Sequence, residues 1–345
     1  MKDIKTLVRP NVLSMKPYSS ARNEFKGDAS VFLDANENPY NNSYNRYPDP
    51  LQWEVKMRIA ALKGVRKENI LLGNGSDEPI DLLMRAFCEP GADSITTVEP
   101  SYGMYEVSAD INNVACHKVL LSDDFELDAE ALLSVANRDS KLVYLCSPNN
   151  PSGNNLSREE IYKVLNGFDG LVIIDEAYID FSSATSFLAE LDKFPNLVVL
   201  QTFSKAWGAA AIRLGMAFAS EEIIQVLNKI KYPYNINQMT QEYALSLLDK
   251  EDIMKEQLVL ILKERATLER ALRELPYVQK IYPTDANFIL VKVPDATGVY
   301  NQLVQQGIIV RNRTNVALCD NCLRITVGTV EENTALLNAL KKIDL

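Results

Sequence analysis

Leu197-Val-Val-Leu-Gln-Thr-Phe-Ser-Lys-Ala-Trp-Gly-Ala-Ala-Ala-Ile-Arg-Leu-Gly-Met-Ala-Phe-Ala219 is the stretch on which the reading of this chain turns. Its ends, Leu197–Leu200 and Leu214–Ala219, are apolar runs that read as buried strands. Between them lies one lysine, Lys205, at a strand exit and among small residues. A lysine flanked by Ala and Gly can approach a flat ring closely, and its amine can form a Schiff base with a carbonyl cofactor. Thr202, Ser204 and Arg213 would then offer hydroxyls and a bidentate guanidinium to a phosphate on that cofactor. A Ser-Lys dipeptide alone is better read as a solvated lysine in an ordinary loop, so the rest of the chain decides.

Outward from this stretch, short apolar strands alternate with helical patterns. Strands are expected at Ile70–Leu72, Ser94–Val98, Cys116–Leu121, Lys141–Cys146 and Leu171–Ile174. Helices are expected at Leu51–Leu62, Ile80–Phe87, Tyr102–Ile111, Ala129–Ala136 and Arg158–Leu165. That alternation predicts an α/β fold, a large doubly wound and mostly parallel sheet. Val31-Phe32-Leu33 reads as a further short strand, Glu221–Ile230 as a helix, and Gln241–Leu275 as one long helical pattern. Beyond Pro276 the character changes. Strands at Phe288–Val293, Ile308–Val310 and Leu323–Val327, with helices at Gly298–Gln306 and Glu331–Lys342, make a small α+β unit. The expected division is an arm and the start of the small domain over 1–45, a large domain over 46–275 and a small C-terminal domain over 276–345.

The net charge of −10 argues against nucleic acid or an anionic membrane as a partner, while leaving room for a local basic pocket. Five cysteines, mostly in apolar contexts, suggest buried thiols in a reducing compartment. The first ten residues have no hydrophobic signal core and no window resembles a membrane span, so a cytoplasmic location is expected. The single histidine, His117, rules out multi-histidine metal sites and reads as structural. Cys319-x-x-Cys322 has no second pair to complete a zinc site, and no metal is expected.

Four other constellations bear on the lysine. Gly73-Asn-Gly-Ser-Asp77 lies between a strand and a helix start, where free backbone N–H groups and the helix dipole suit a phosphate; alone it reads as a Ser/Asp cap. Val172-Ile-Ile-Asp-Glu-Ala-Tyr178 places Asp175 at the carboxyl end of a buried strand, the edge at which ligands bind in open α/β sheets. An aspartate there can pair with a protonated pyridine nitrogen and make the ring an electron sink, and Tyr178 can hydrogen-bond a ring hydroxyl. An isolated apolar-Asp-Glu run also occurs in nucleotide hydrolases, but the chain has no Gly-x-x-x-x-Gly-Lys-Ser/Thr loop. Ser147-Pro-Asn-Asn-Pro-Ser-Gly153 brings Asn150 to another strand end, and Pro100-Ser-Tyr-Gly-Met-Tyr105 brings Tyr102, which could stack on a planar ring. Each of these two is, by itself, an ordinary tight turn. A lysine, a strand-end aspartate, an asparagine turn, an aromatic and a phosphate cradle together describe a site for pyridoxal phosphate.

Taken together, these segments resemble the fold-type-I pyridoxal-phosphate aminotransferases. Over nearly the whole length the chain is similar to the histidinol-phosphate aminotransferases among them, through Lys16–Arg22, Asp34–Pro39, Arg46–Pro50, Gly75–Gly91, Pro100–Asp110, Ser147–Gly153, Val172–Tyr178, Thr202–Gly215, Gly307–Arg311 and Cys322–Gly328. The resemblance implies that Lys205 carries the cofactor and Asp175 pairs with its ring nitrogen. It implies that Tyr178 and Asn150 hold the ring oxygen and that Tyr102 stacks on the ring. Ser76 and Asp77, through backbone amides, with Ser204 and Arg213, would hold the cofactor phosphate. Tyr47 would reach that phosphate from a partner subunit, which implies a homodimer. Arg311 and Arg324 would grip the substrate anion, and Tyr18 would border the imidazole end. The implied reaction is reversible transamination between L-histidinol phosphate and 2-oxoglutarate, giving imidazole-acetol phosphate and L-glutamate. One departure stands in the lysine loop, where Ala211 replaces an expected glycine two residues before Arg213. Other readings are an aromatic amino-acid aminotransferase or phospho-amino-acid decarboxylase on the same fold, and a cofactor-binding regulator without turnover. The regulator would need a DNA-binding module for which this acidic chain has no spare length.

Overall fold

The computed structural model describes residues 3–18, 27, 30–40 and 43–343. The first sheet comprises β1 (Ile70–Asn74), β2 (Ser94–Glu99), β3 (Ala115–Leu120), β4 (Ser140–Cys146), β5 (Leu171–Asp175), β6 (Leu197–Thr202) and β7 (Leu214–Ala219). Their order is β1-β7-β6-β5-β4-β2-β3. Pairings among β3, β2, β4, β5 and β6 are parallel, and β7 is antiparallel to both β6 and β1. β1 therefore points the same way as β6, and the expected mostly parallel α/β sheet is present.

β4, β5, β6 and β7 are buried along most or all of their length because both faces of the sheet are covered there, whereas the edge strand β3 is partly exposed. On β4, Val143 and Leu145 join one core while Leu142, Tyr144 and Cys146 join the other. β5 and β6 divide alternately between the same two cores. The parallel arrangement brings the carboxyl ends of β1, β2, β4, β5 and β6 to one edge. Every segment singled out above, from Gly75-Ser76 to Ser204-Lys205, leaves the sheet at that edge.

A second, four-stranded antiparallel sheet, β10-β11-β9-β8, is made of β8 (Lys280–Ile281), β9 (Phe288–Lys292), β10 (Arg311–Asn312) and β11 (Cys322–Thr326). Its own core includes Ile289, Val291, Leu323 and Ile325, packed with Leu303 and Leu336 from the helices Ala296–Gln305 and Val330–Leu340. The second of these helices starts in a capping box, Thr329 with Glu332. No described helix is long and apolar enough to cross a membrane.

Three elements differ from the sequence reading. Val31-Phe32-Leu33 is not a strand; Val31 and Leu33 are exposed, and β propensity without a pairing edge does not make a sheet. The strand expected at Ile308–Val310 forms instead at Arg311–Asn312, where the chain first comes alongside β11. The long pattern Gln241–Leu275 is two helices, Gln238–Leu248 and Glu251–Arg273. Asp249 and Lys250 close the first with bonds to the carbonyls of Leu245 and Leu247, a break that no Gly or Pro announces. His117 lies on the edge strand β3, with Nε2 3.1 Å from Asp139 Oδ1.

Candidate active site

The strand ends meet at a cavity lined by Ser76, Asp77, Tyr102, Asn150, Asp175, Tyr178, Ser204, Lys205 and Arg213. β5 ends in Asp175, which is 2% exposed. Its carboxylate accepts the Tyr105 hydroxyl at Oδ2 (2.7 Å) and the Ala177 N–H at Oδ1 (3.1 Å). Burial raises its pKa to about 6, partly offset by those two donors. A buried carboxylate with so little positive charge nearby is suited to receive a cation. Glu176, the next residue, points into the protein: its carboxylate accepts from Ser186, Phe187 N–H and Gln201, which makes it part of the sheet packing.

Lys205 follows the end of β6, with Nζ 5.4 Å from the Tyr178 ring centroid. Its amine has no hydrogen bond or ion pair among the described residues. Burial, then the Arg324 guanidinium, lowers its pKa, against an opposing effect of Asp175. It is therefore easier to deprotonate than a free lysine, as a nucleophile or base requires.

The cradle between β1 and β7 is backbone packed against backbone. Gly75 N–H donates to Arg213 O at 2.9 Å, and both Gly75 and Arg213 take left-handed φ (71° and 52°). A Cβ on Gly215 would stand 2.2 Å from the Gly75 carbonyl carbon and 2.3 Å from Ser76 N, so only glycine fits there. The helix Asp77–Phe87 begins at this point with no side-chain cap, and the N–H groups of Ser76 and Asp77 have no acceptor among the described residues. Arg213 lies over them, within 3.5 Å of Ser204 Oγ and of Asp77 Oδ2. The Asp77 carboxylate also accepts the Tyr102 hydroxyl at 3.0 Å.

A wider cavity continues past Lys205 and Tyr178 to Arg311 and Arg324. These arginines pair opposite one another on β10 and β11, so the second sheet closes the site from the far side. Arg324 Nη1 donates to Asn150 Oδ1, and its guanidinium lies 5.2 Å from the Phe288 ring centroid.

The sequence model of class I and II aminotransferases matches residues 21–340. The chain belongs to the class I and II aminotransferase family. It is 65% identical to the histidinol-phosphate aminotransferase of Parabacteroides distasonis, over the full length of both chains. It is 59% identical to that of Bacteroides fragilis, over 99% of each. Among solved structures it is similar to the histidinol-phosphate aminotransferase of Clostridium acetobutylicum, with TM-score 0.79 and 27% identity over 86% of this chain and 90% of that one. The enzyme of the same name from Sinorhizobium meliloti, solved in complex with pyridoxal-5'-phosphate, gives TM-score 0.79 and 25% identity over 86% and 82%.

The residues of this aminotransferase fit pyridoxal phosphate on its own geometry. Unpaired amides at a helix start, a glycine-lined turn and Arg213 suit the phosphate; the half-buried amine of Lys205 suits the aldehyde; buried Asp175 suits a protonated ring nitrogen. Asn150 keeps its amide nitrogen without a partner among the described residues, available to a ring oxygen.

Two residues named from the sequence lie elsewhere within the single chain. Tyr47 stacks on Tyr234 (4.4 Å between centroids) and lines a separate groove with Glu37 and Met239. Tyr18 is exposed, and residues 19–22 of the segment Lys16–Arg22 lie outside the described residues. Conversely, Tyr105 and Arg313 belong to the site and were given no role in it from the sequence. Tyr105 reaches Asp175 across 70 positions, and nothing local signals that. Arg313 had a signal: it is two residues from Arg311, and alternate residues of an extended chain share a side.

Proposed function

We propose that this aminotransferase exchanges the amine of L-histidinol phosphate with 2-oxoglutarate, giving imidazole-acetol phosphate and L-glutamate, a step of L-histidine biosynthesis. The observation that carries this reading is the pair Arg311 and Arg324. Both border the Lys205 cavity, and neither has a carboxylate partner among the described residues. Two such guanidiniums suit a phosphate ester, and one of them can hold the carboxylate of the co-substrate bidentately.

Bound pyridoxal phosphate would supply an aldehyde that takes up an amine and a ring that stores the electron pair released at the adjoining carbon. The chain supplies the rest. The cradle of Ser76, Asp77, Ser204 and Arg213 holds the phosphate, Asp175 keeps the ring nitrogen protonated, Tyr178 and Asn150 hold the ring oxygen, and Tyr102 covers the ring. Lys205 fixes the cofactor and then moves a proton to or from the substrate's amine-bearing carbon. No histidine is needed for that step.

On the same reading, residues 46–275 form the cofactor domain and 276–345 the small domain, with 1–45 as an arm. A homodimer brings the partner's copy of Tyr47 to the cofactor phosphate, and the arm brings Tyr18 to the imidazole. The position of Tyr47 away from its own chain's lysine cavity supports the shared site. Five free cysteines support a cytoplasmic enzyme.

The test is a product assay. With L-histidinol phosphate and 2-oxoglutarate, the enzyme is expected to form one L-glutamate for each amine consumed. Carbon dioxide released in place of glutamate formation from a phosphorylated amino acid would overturn the reading in favour of a decarboxylase.

A further inference from the structure

Arg313 brings a third guanidinium to the cavity that holds Lys205, Arg311 and Arg324. Its main-chain N–H donates to Cys322 O at 2.8 Å, so pairing with β11 extends one residue past β10 and sets Arg313 beside the strand that carries Arg324. Among the described residues seven other arginines form ion pairs, while Arg311, Arg313 and Arg324, like Arg138, Arg265, Arg270 and Arg273, form none. The Nε atoms of Arg313 and Arg324 are also buried with no hydrogen-bond partner among the described residues. Burial lowers the pKa of both guanidiniums, and repulsion from the neighbouring arginines adds to it. Two half-buried guanidiniums, each with an unused buried donor, stand beside exposed Arg311 at one cavity wall and suit a ligand that brings more than one negative charge.

We infer that Arg313 is a specificity residue: it donates to the phosphate dianion of the substrate, and so favours phosphate-bearing amines over carboxylate-bearing ones in the shared cavity. This rests on the reading above, that both kinds of amine donor use the same site in alternate half-reactions. A carboxylate has two oxygens and one charge, and a single bidentate guanidinium satisfies it. A phosphate monoester has three terminal oxygens and a charge of about −1.5 to −2 at neutral pH, so it can engage a further arginine. Arg313 should therefore matter in one half-reaction and little in the other.

The test uses the cofactor-loaded Arg313→Gln enzyme, with each half-reaction measured separately. For L-histidinol phosphate, kcat/KM is expected to fall roughly 10- to 100-fold, mostly through KM, as for loss of a charged hydrogen bond. For L-glutamate the fall is expected to stay under about threefold, within the range of an uninvolved surface change. Arg313→Lys, which keeps the charge but loses the fork, should lie between. Equal losses in both half-reactions, or no loss with histidinol phosphate, would overturn the inference. A second readout does not depend on the identity of the substrate: inorganic phosphate as a competitor of the glutamate half-reaction. With the cofactor cradle filled, its inhibition constant is expected to rise about tenfold or more in Arg313→Gln. Were the wild-type enzyme inactive on histidinol phosphate, the functional reading would fail. The competition would still decide on Arg313, supporting it if inhibition weakens in the variant and rejecting it if inhibition is unchanged.

Discussion

Lys205→Ala is expected to lower transamination by at least about 10⁴-fold, the upper end of what one positioned acid–base group contributes. It should also abolish the visible absorbance of lysine-bound cofactor. Two roles are lost at once, since the same amine fixes the cofactor and moves the proton. The variant should still fold. Lys205 Nζ makes no hydrogen bond or ion pair among the described residues, and its side chain is only half-buried. Its removal should change the unfolding free energy by no more than about 0.5 kcal/mol. An absorption spectrum and a denaturant titration of the purified variant check both statements. A retained, pH-sensitive visible band would assign the cofactor linkage to another residue.

Asp175→Asn is expected to separate activity from stability. Activity should fall about 10²- to 10³-fold, as when a preorganised electrostatic partner is neutralised. The ligand-free chain, in contrast, should become more stable at pH 8. Burial raises the pKa of Asp175 from 3.8 to about 6, so its ionised form costs the folded state about 3 kcal/mol once the pH exceeds both values. The sign follows from the direction of the shift: the carboxyl contributes no penalty below pH 3.8, and stability is lost as pH rises through about 6. Asparagine removes the penalty but weakens the bond from Tyr105, leaving a net gain of about 1–3 kcal/mol. That gain should fall by about 1.4 kcal/mol at pH 5, where the native carboxyl is largely protonated and its penalty about halved. Chemical denaturation of the ligand-free wild type and variant at the two pH values reads this out. A variant less stable than wild type at pH 8 would mean that Asp175 is a structural partner of Tyr105 instead of an unbalanced charge held for a cationic ring.

Much of this was legible in the sequence for a physical reason. In a sheet covered on both faces, apolar runs such as Val172–Ile174 and Leu197–Leu200 mark the strands, and the polar residues that follow them necessarily gather at one edge. Lys205, Asp175, Asn150 and the Gly75-Ser76-Asp77 turn could thus be grouped before any coordinates. What was hidden depends on long-range contact. The bond from Tyr105 to Asp175 joins a helix after β2 to the end of β5, and no periodicity encodes it. The β10 strand forms only where the chain meets β11, which moved it from Ile308–Val310 to Arg311–Asn312 and brought Arg313 to the cavity. Val31-Phe32-Leu33 shows the converse: a β-prone triplet that has no strand to pair with.

The central claim, that the cavity selects an amine bearing a phosphate ester, is tested most directly by single-turnover spectroscopy of the cofactor-loaded enzyme. L-Histidinol phosphate, L-phenylalanine and L-glutamate would be compared at equal concentration below saturation. The visible absorbance is expected to be lost fastest with histidinol phosphate and only slowly with phenylalanine. Loss that is fastest with phenylalanine would contradict it, leaving the fold and the lysine chemistry in place but removing the phosphate from the substrate.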